Sequence, residues 1–386
     1  MNRVILTDAR VVLPDRAEEA SVLVEDGRIA DIVPGRRFPE GVSLAGQYLV
    51  PGLIDLHTDY LEREARPRSS ADFPLAMAFH FMDTRAIGAG ITTVLGAARI
   101  TERKETSERI IGWDGDGLAL AHAYQELRRK ALARHFVHLR WDPNFLPVDT
   151  ILSRLRELDS LGNLVFNDST PGERQFRNLD ELIRNYAFQR KVSPEEARAH
   201  FDARIERGRT INNRGAVQAA LGDRLPLGSH DDATIEHVDE AYRFGATLAE
   251  MPVTIEAARR AKELGMDVCM GAPNYYRGGS HCGNLAAPDA VAEGLVDIFC
   301  SDFHFPAMLG AAMRMLKAGM AAPDVFRYFT RNPARHLRLD HELGSIEIGK
   351  KADLTAFVPH DDFGLVTHVW IDGELRYRIA HPSSAP

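Results

Sequence analysis

Apolar and polar residues alternate in short runs at both ends of the chain, a pattern typical of half-buried β-strands. Turn sequences around Gly27 and Gly373 separate neighbouring runs and predict two hairpins. We therefore expect residues 1–50 and 346–386 to form one small composite β-sandwich domain. The runs at the two ends are residues 4–6, 10–13, 21–24, 29–33, 352–358, 367–371 and 374–377.

The middle of the chain, residues 51–345, alternates short apolar runs with charged segments of helical character. This alternation predicts βα units and one domain of the α/β class, a (β/α)8 TIM-like barrel. Because the active sites of such barrels lie at the carboxyl ends of the strands, the polar residues after each run are the candidates for chemistry. The strand candidates are residues 53–56, 92–95, 136–139, 164–166, 225–227, 267–270 and 297–300.

A long and highly charged segment, residues 168–214, follows one of these strand candidates. Within it, residues 193–196 read Ser-Pro-Glu-Glu, which predicts a helix that starts with a capping box and an early proline. A solvated surface helix accounts for most of the charges. Since the segment follows a strand end, it is also placed to cover the site as a lid.

Composition narrows the class of protein and its partners. The chain has 45% apolar and 26% charged residues, as globular proteins do, and its net charge of −8 makes nucleic acid an unexpected partner. Its three cysteines are too widely spaced for a disulfide framework or a zinc ribbon. Neither a signal peptide nor a membrane span is evident. We therefore expect a cytoplasmic protein that binds neither nucleic acid nor membrane.

The first strand candidate of the middle region runs into His57 and Asp59. Residues two apart on a strand point to the same side, so an imidazole and a carboxylate meet at its carboxyl end. Both groups are metal ligands. An isolated His-x-Asp is more often a surface histidine beside a capping aspartate, so the surrounding sequence decides between the two interpretations.

That surrounding sequence, Pro-Gly-Leu-Ile-Asp-Leu-His over residues 51–57, resembles the first barrel strand of the amidohydrolase superfamily. The His-Thr-Asp at its end is similar to one branch, the PhnM-type enzymes of the carbon–phosphorus lyase pathway. The resemblance implies a metal-dependent hydrolase and covers about residues 1–380. Further motifs of that branch are resembled by residues 166–176, 229–234 and 271–284.

By this resemblance the metal ligands are His57, Asp59, Asp142, His230 and Asp302. Asp302 would also be the catalytic base that accepts a proton from the attacking water. Asp142 stands where related enzymes carry a carboxylate that bridges two metals, although an aspartate after a strand also commonly caps a helix.

The resemblance departs from the family at Ser169, which stands where a histidine ligand from the fifth strand is expected. His230 corresponds to the ligand from the sixth strand. Because a serine hydroxyl is a poor zinc ligand, we expect one tightly held divalent metal, with zinc as the expected ion, and a second site that is weak or absent. His304 either replaces the missing imidazole or lies in a loop.

The resemblance also implies a small substrate that carries phosphate groups. Gly278 and Gly279 would let the backbone approach phosphate oxygens, and Arg277 would supply a bidentate cation. Any one of these cations alone is more typical of a solvated surface charge, so binding depends on their convergence at the metals. The implied reaction is hydrolysis of alpha-D-ribose 1-methylphosphonate 5-triphosphate to the 5-phosphate and pyrophosphate. The implied substrate-binding residues are Arg68, Arg174, Lys191, Arg277, Gly278, Gly279 and His281.

Two other functions are compatible with the same residues. The superfamily fold also supports amidohydrolases and deaminases that act on a cyclic C–N bond, and Ser169 together with Asp142 is consistent with such a changed substrate. A chain with a weakened metal centre could instead be a binding or regulatory protein. A homo-oligomer is compatible with each of these functions.

Overall fold

The computed structural model describes residues 3–68, 71–101, 117–174, 178–280 and 282–381. The strands within these ranges are β1 (Arg3–Val12), β2 (Ala17–Glu25), β3 (Arg28–Pro34), β4 (Val42–Ser43), β5 (Tyr48–Pro51), β6 (Leu53–Thr58), β7 (Ile91–Ile100), β8 (Arg134–Trp141), β9 (Leu161–Phe166), β10 (Leu227–His230), β11 (Ala246–Glu250), β12 (Asp267–Gly271), β13 (Ile298–Cys300), β14 (Leu354–His360), β15 (Phe363–Ile371) and β16 (Glu374–Arg378). The helices are α1 (Tyr60–Ala65), α2 (Leu75–Gly88), α3 (Gly117–Leu127), α4 (Asp149–Arg156), α5 (Leu179–Arg190), α6 (Pro194–Thr210), α7 (Arg214–Leu221), α8 (Ile235–Arg243), α9 (Ile255–Glu263), α10 (Ala272–Arg277), α11 (Ala287–Ala292), α12 (Pro306–Lys317), α13 (Ala322–Phe326) and α14 (Arg331–His336).

Strands from both ends of the chain form one sheet, in the order β16-β15-β14-β5-β1-β2-β3, with β4 paired to β1. The two predicted hairpins connect β2 to β3 and β15 to β16. Gly27 in the first turn has a φ of +81°, and a Cβ there would lie 2.7 Å from the carbonyl oxygen of Asp372 in the second turn. Glycine is therefore required where the two turns meet. The prediction that both termini build one β unit is confirmed.

Eight parallel strands form the second sheet, in the chain order β6 to β13. Backbone hydrogen bonds close this sheet into a barrel between its first and last strands. The N–H of Asp302 donates to the carbonyl of His57 over 3.0 Å, and the N–H of Asp59 donates to the carbonyl of Asp302 over 2.7 Å. The predicted (β/α)8 barrel is confirmed.

Neighbouring residues on the barrel strands face opposite sides. Leu53 and Val94 pack in the large apolar cluster that includes the surrounding helices. Ile54 and Leu95, the next residues along the same strands, belong to a separate cluster that draws on β6, β7, β11, β12 and β13. Because side chains alternate along a strand, the second cluster fills the barrel and supports its polar carboxyl end.

The strand β11 is missing from the sequence-based strand candidates. Its sequence, Ala-Thr-Leu-Ala-Glu, contains two alanines and lacks the aromatic and most β-branched residues that favour strands. Its pairing with β10 and β12 on either side places it in the sheet. Tertiary pairing therefore decides the structure of this segment, and the strand ends in a residue of the site, Glu250.

The charged segment after β9 contains the helices α5 and α6, which pack through their own small apolar cluster around Ile183, Ala197 and Phe201. The predicted capping box is present, since Ser193 and Glu196 exchange side-chain and backbone hydrogen bonds. The proposed role of the segment as a lid stays a prediction. Across the described ranges, none of the helices has both the length and the apolar character that crossing a membrane requires.

Candidate functional site

Closure of the barrel brings three predicted site residues together. His57 is the second-last residue of the first barrel strand, β6, and Asp59 directly follows that strand. Asp302 lies two residues after the last barrel strand, β13. One ligand atom from each side chain lies within 4.8 Å of the other two. Nε2 of His57 is 3.6 Å from a carboxylate oxygen of Asp59. The His-x-Asp pair thus meets a second carboxylate, that of Asp302, at the edge where such barrels hold their active sites.

A cavity of about 730 Å³ opens at this edge of the barrel. A cavity of this size suits a small-molecule ligand. Candidate metal ligands and cationic side chains therefore share one solvent-accessible space. Its polar lining includes His57, Asp59, Arg140, His230, Arg277 and Asp302.

Glu250, the last residue of β11, has no exposed side-chain surface and lies among three imidazoles. Its Oε2 is 2.6 Å from Nδ1 of His230, 3.0 Å from Nδ1 of His57 and 3.4 Å from Nε2 of His138. A carboxylate at Nδ1 fixes the proton on that nitrogen and leaves the lone pair on Nε2. Glu250 therefore prepares Nε2 of His230, whose Nδ1 is hydrogen-bonded to it, for a partner on the cavity side, and it makes an ion-pair contact with Nδ1 of His57.

The side chains of His57, His230 and Glu250 form a second group with metal-ligand spacing. His57 belongs to both groups, and a neutral imidazole has only one lone pair. Asp59 and Asp302 line the cavity, whereas Glu250 is fully buried. The group of His57, Asp59 and Asp302 is thus the candidate metal centre that a substrate can reach, and Glu250 contacts its histidine from the buried side.

The order of the barrel strands corrects two assignments made from the sequence. Ser169 follows β9, which is the fourth barrel strand, and His230 ends β10, which is the fifth. The prediction that Ser169 takes the fifth-strand position and His230 the sixth is wrong, because β6 to β9 account for only four strands before Ser169. The fifth strand therefore has its histidine, and the sixth ends in Glu250.

Ser169 and Asp142 lie among hydrogen-bond partners that are not metal ligands. The hydroxyl of Ser169 accepts from Arg99 over 2.9 Å and from Arg204 over 3.3 Å. The carboxylate of Asp142 accepts from the hydroxyl of Thr101 and from the backbone N–H of residue 144, each over 2.9 Å. Neither residue belongs to a candidate metal group in the described part of the chain. The bridging role of Asp142 stays a prediction.

Ser169→His should leave the metal content of the protein unchanged. The new imidazole would lie beside the guanidinium groups of Arg99 and Arg204, which now donate to the serine hydroxyl. Two positive charges at this position repel a metal cation and offer it no ligand atoms. Metal content per chain, measured after dialysis against excess zinc and then against buffer, checks this expectation. A second retained equivalent in the variant, with one in the wild type, would show that the position does border a metal site.

Arg277 and the two glycines after it lie together at the end of α10. Arg277 lines the cavity, and Gly278 caps the helix in the left-handed conformation with a φ of +83°. The N–H groups of Gly278 and Gly279 donate to the carbonyls of residues 275 and 274, over 3.1 and 2.9 Å. These amides close the helix, so the structure does not support the predicted contact between them and phosphate. His281 lies outside the described residues.

The other three predicted substrate-binding cations do not line the cavity. Arg174 is buried, and its guanidinium donates to the carboxylate of Asp232. Lys191 is exposed and follows α5 in the left-handed backbone conformation. Arg68 is exposed and pairs with Ala71 in an isolated β-bridge. Of the four predicted cations, Arg277 alone therefore lines the cavity, where it is joined by Arg63, Arg66 and Arg140.

Arg140 is a site residue that the sequence patterns did not single out. It lies on β8 and lines the cavity. His138 and Arg140 are polar residues two apart on β8, and His57 and Asp59 are two apart at the end of β6. That repeated spacing is the signal that could have identified Arg140, whereas Glu250 lay in a segment without a clear strand pattern.

The pKa values of the three carboxylates in the site shift in different directions. Burial raises the pKa of Asp302, although the neighbouring His57 opposes the shift. Burial would also raise the pKa of Asp59, but Arg140 and His57 hold that pKa well below its ordinary value. Burial would likewise raise the pKa of Glu250, and the imidazoles of His138 and His57 instead keep it well below the ordinary value. The site thus combines two firmly ionised carboxylates with one that holds a proton more readily.

A closed parallel barrel whose first and last strands present a histidine and two carboxylates to one cavity is the arrangement of a metal-dependent hydrolase. A family profile described as "Amidohydrolase family" matches residues 281–376. Among solved structures, N-acetylglucosamine-6-phosphate deacetylase from Pasteurella multocida superposes with a TM-score of 0.61 at 14% identity, over 97% of this chain and 99% of that one. At this level of identity the likeness shows the fold.

Two curated relatives narrow the assignment. The alpha-D-ribose 1-methylphosphonate 5-triphosphate diphosphatase of Escherichia coli (strain K12) is 32% identical, over 96% of this chain and 99% of the relative. An imidazolonepropionase of Geobacillus sp. (strain WCH70) is 24% identical, over 91% of this chain and 86% of the relative. The chain belongs to the amidohydrolase superfamily and, within it, to the family of the Escherichia coli relative. It is a hydrolase.

Proposed function

We propose that the protein hydrolyses alpha-D-ribose 1-methylphosphonate 5-triphosphate to the 5-phosphate and pyrophosphate. The observation that carries this proposal is the 32% identity to the Escherichia coli diphosphatase of that name, which extends over nearly the whole of both chains. The cavity supports it, because candidate metal ligands and the cationic Arg277 line the same space. Such a combination suits a substrate with several phosphate groups.

A divalent metal, for which we propose zinc, fits the group of His57, Asp59 and Asp302. One imidazole and two carboxylates are ligand types that zinc accepts, and their ligand atoms lie within 4.8 Å of one another. When bound there, the metal would polarise a phosphoryl oxygen and lower the pKa of water. His230 is a further candidate ligand. A metal would have to compete with Arg140 for it, because Nε2 of His230 accepts a hydrogen bond from the guanidinium over 3.0 Å.

The other steps fall to side chains of the protein. Asp302 would accept the proton of the attacking water, because its carboxylate lines the cavity beside the candidate metal centre. Arg277 would bind phosphate oxygens through its guanidinium, whose planar donors match the spacing of those oxygens. The cavity walls would hold the triphosphate in one orientation relative to Asp302.

Release of pyrophosphate from the ribose triphosphate by the purified, metal-loaded protein tests this function. Nucleoside triphosphates and a panel of cyclic amides that includes an imidazolone serve as competing substrates. Pyrophosphate release that is fastest with the ribose triphosphate supports the proposal. Ring opening of a cyclic amide without pyrophosphate release would replace it by hydrolysis of a cyclic C–N bond, the second candidate, which the matches to imidazolonepropionases favour. Loaded protein that turns over none of these substrates would favour a binding role.

Arg277→Ala should raise the KM for phosphorylated substrates by about 10- to 150-fold. This range corresponds to the loss of roughly 1.5–3 kcal/mol from one charge-assisted hydrogen bond. Steady-state kinetics with the ribose triphosphate measure the change. Arg259→Ala is the matched control, because Arg259 is an exposed arginine on α9 that pairs with Glu293 outside the cavity. An unchanged KM in Arg277→Ala would mean that Arg277 only ends its helix.

A further inference from the structure

The guanidinium of Arg140 occupies the centre of the site. Its Nη2 donates to Nε2 of His230 over 3.0 Å, and its Nη1 lies 3.4 and 3.5 Å from the two carboxylate oxygens of Asp59. Its Nε donates to the side-chain oxygen of Asn167 over 3.2 Å. Only 20% of the side chain is exposed, and that part lines the cavity. Three side chains from different strand ends thus hold this cation in one position.

The atoms that Arg140 contacts are those that a second metal ion would need. Glu250 keeps the proton of His230 on Nδ1, over 2.6 Å, so the lone pair of His230 is on Nε2. That lone pair accepts from Arg140 and is not available to a metal at the same time. Asp59 likewise faces both the candidate metal centre and the guanidinium. A second ion beside the first would have to displace Arg140 from His230 and from Asp59.

The charges around Arg140 explain why a cation is held there. Four carboxylates, those of Asp59, Glu250, Asp231 and Asp302, act on it electrostatically. One divalent ion together with one guanidinium would neutralise three of these four negative charges. Because an arginine side chain remains protonated in proteins and is covalently attached, this positive charge is permanent, unlike a weakly bound ion.

We infer that Arg140 takes the place of a second metal ion, so that the site works with one divalent metal and one fixed guanidinium. In the reaction, Arg140 would then stabilise the negative charge on the phosphoryl oxygens with its paired N–H donors. This catalytic role rests on the proposed function, whereas the exclusion of a second metal does not. The two halves can therefore be tested separately.

The number of metal ions per chain tests the exclusion without any substrate. Wild-type protein titrated with cobalt(II) or zinc(II) is expected to saturate at one equivalent, and Arg140→Met, which frees Asp59 and His230, is expected to bind a second. Arg63→Met is the matched control. Arg63 lines the same cavity but donates to the backbone carbonyl of residue 303, so its removal should leave the count at one.

Two outcomes would overturn the exclusion. The first is two equivalents in the wild type, with a cobalt(II) paramagnetic resonance spectrum that shows two coupled ions. This result needs no variant, so it stands even if Arg140→Met does not fold. The second is a folded Arg140→Met that still saturates at one equivalent, because Arg140 would then not be what keeps the second ion out.

Chemical rescue tests the catalytic half. When it is loaded with only one equivalent of metal, so that no second ion fills the vacated place, Arg140→Ala is expected to lower kcat by at least about a hundredfold, as removal of a charge-stabilising donor does. Added guanidinium chloride at low concentration is expected to restore a substantial part of it. Sodium chloride at the same ionic strength should restore none. An unchanged kcat, or a loss that guanidinium does not restore in a variant that keeps its metal, would show that Arg140 only shapes the site. If the ribose triphosphate is no substrate at all, the proposed function fails while the metal count still decides the exclusion.

Discussion

Asp302→Asn should lower kcat by at least about a hundredfold, the usual effect of removing a general base. The amide keeps the shape of the side chain but cannot accept the proton of the attacking water. The backbone should tolerate the change, because Asp302 has a φ of +56° and asparagine is among the residues that adopt this left-handed region most readily. Steady-state kinetics at saturating metal measure the loss.

The interpretation of that loss depends on two controls. Asp302 is also a candidate ligand, so the metal content of the variant must be measured. Loss of kcat with the metal retained identifies the base, whereas loss of both identifies a ligand. Asp361→Asn is the matched substitution, since Asp361 has a φ of +49° in an exposed turn of the terminal sheet. Activity of Asp302→Asn within a few-fold of the wild type would contradict the assignment.

Glu250→Gln should weaken metal binding by about 10- to 100-fold, the range found when a residue that orients a metal ligand is replaced. Glutamine is nearly isosteric but uncharged, and its amide nitrogen is a donor. Where that donor faces Nδ1 of His230, the imidazole proton moves to Nε2 and the lone pair on the cavity side is lost. The ion-pair contact with the metal ligand His57 is lost together with the charge. Competition against a chelator of known affinity measures the change.

Glu263→Gln separates this effect from the loss of any carboxylate. Glu263 is exposed on α9 and pairs with Arg260 at the surface, so its replacement should leave metal affinity unchanged. The thermal unfolding midpoint of the metal-free protein should be compared as well, because a general loss of structure would lower it. Metal affinity of Glu250→Gln within threefold of the wild type would mean that the buried carboxylate does not control the histidines.

Some parts of the fold could be predicted from the sequence and others could not. The hairpin turns at residues 25–28 and 372–373 were predictable because glycine and aspartate mark turns locally. The alternation of apolar runs and charged segments was sufficient to predict the barrel. Strand β11 was not predictable in the same way, because its alanines and single threonine carry little strand preference. Its neighbours β10 and β12 hold it in the sheet.

The candidate site shows the same division. His57 and Asp59 are two residues apart, so the sequence alone keeps them close together, although Asp59 lies just beyond the end of β6. Arg277 was identified from its motif, yet the amides of Gly278 and Gly279 were assigned to phosphate when they complete the end of α10. A Gly-Gly sequence has the same local appearance in both roles, and only the position of the preceding carbonyls decides between them.

The sequence by itself determined the superfamily, the barrel with its terminal β unit, and the pair His57 and Asp59, because each follows from residues that are neighbours along the chain. The tertiary structure alone decided that Glu250 lies against Nδ1 of two histidines and that Arg140 lies between Asp59 and His230, and it brought Asp302, which the resemblance had named, next to the pair. These relations connect the ends of different strands. They exist only once the barrel closes and its parallel strands end at one rim.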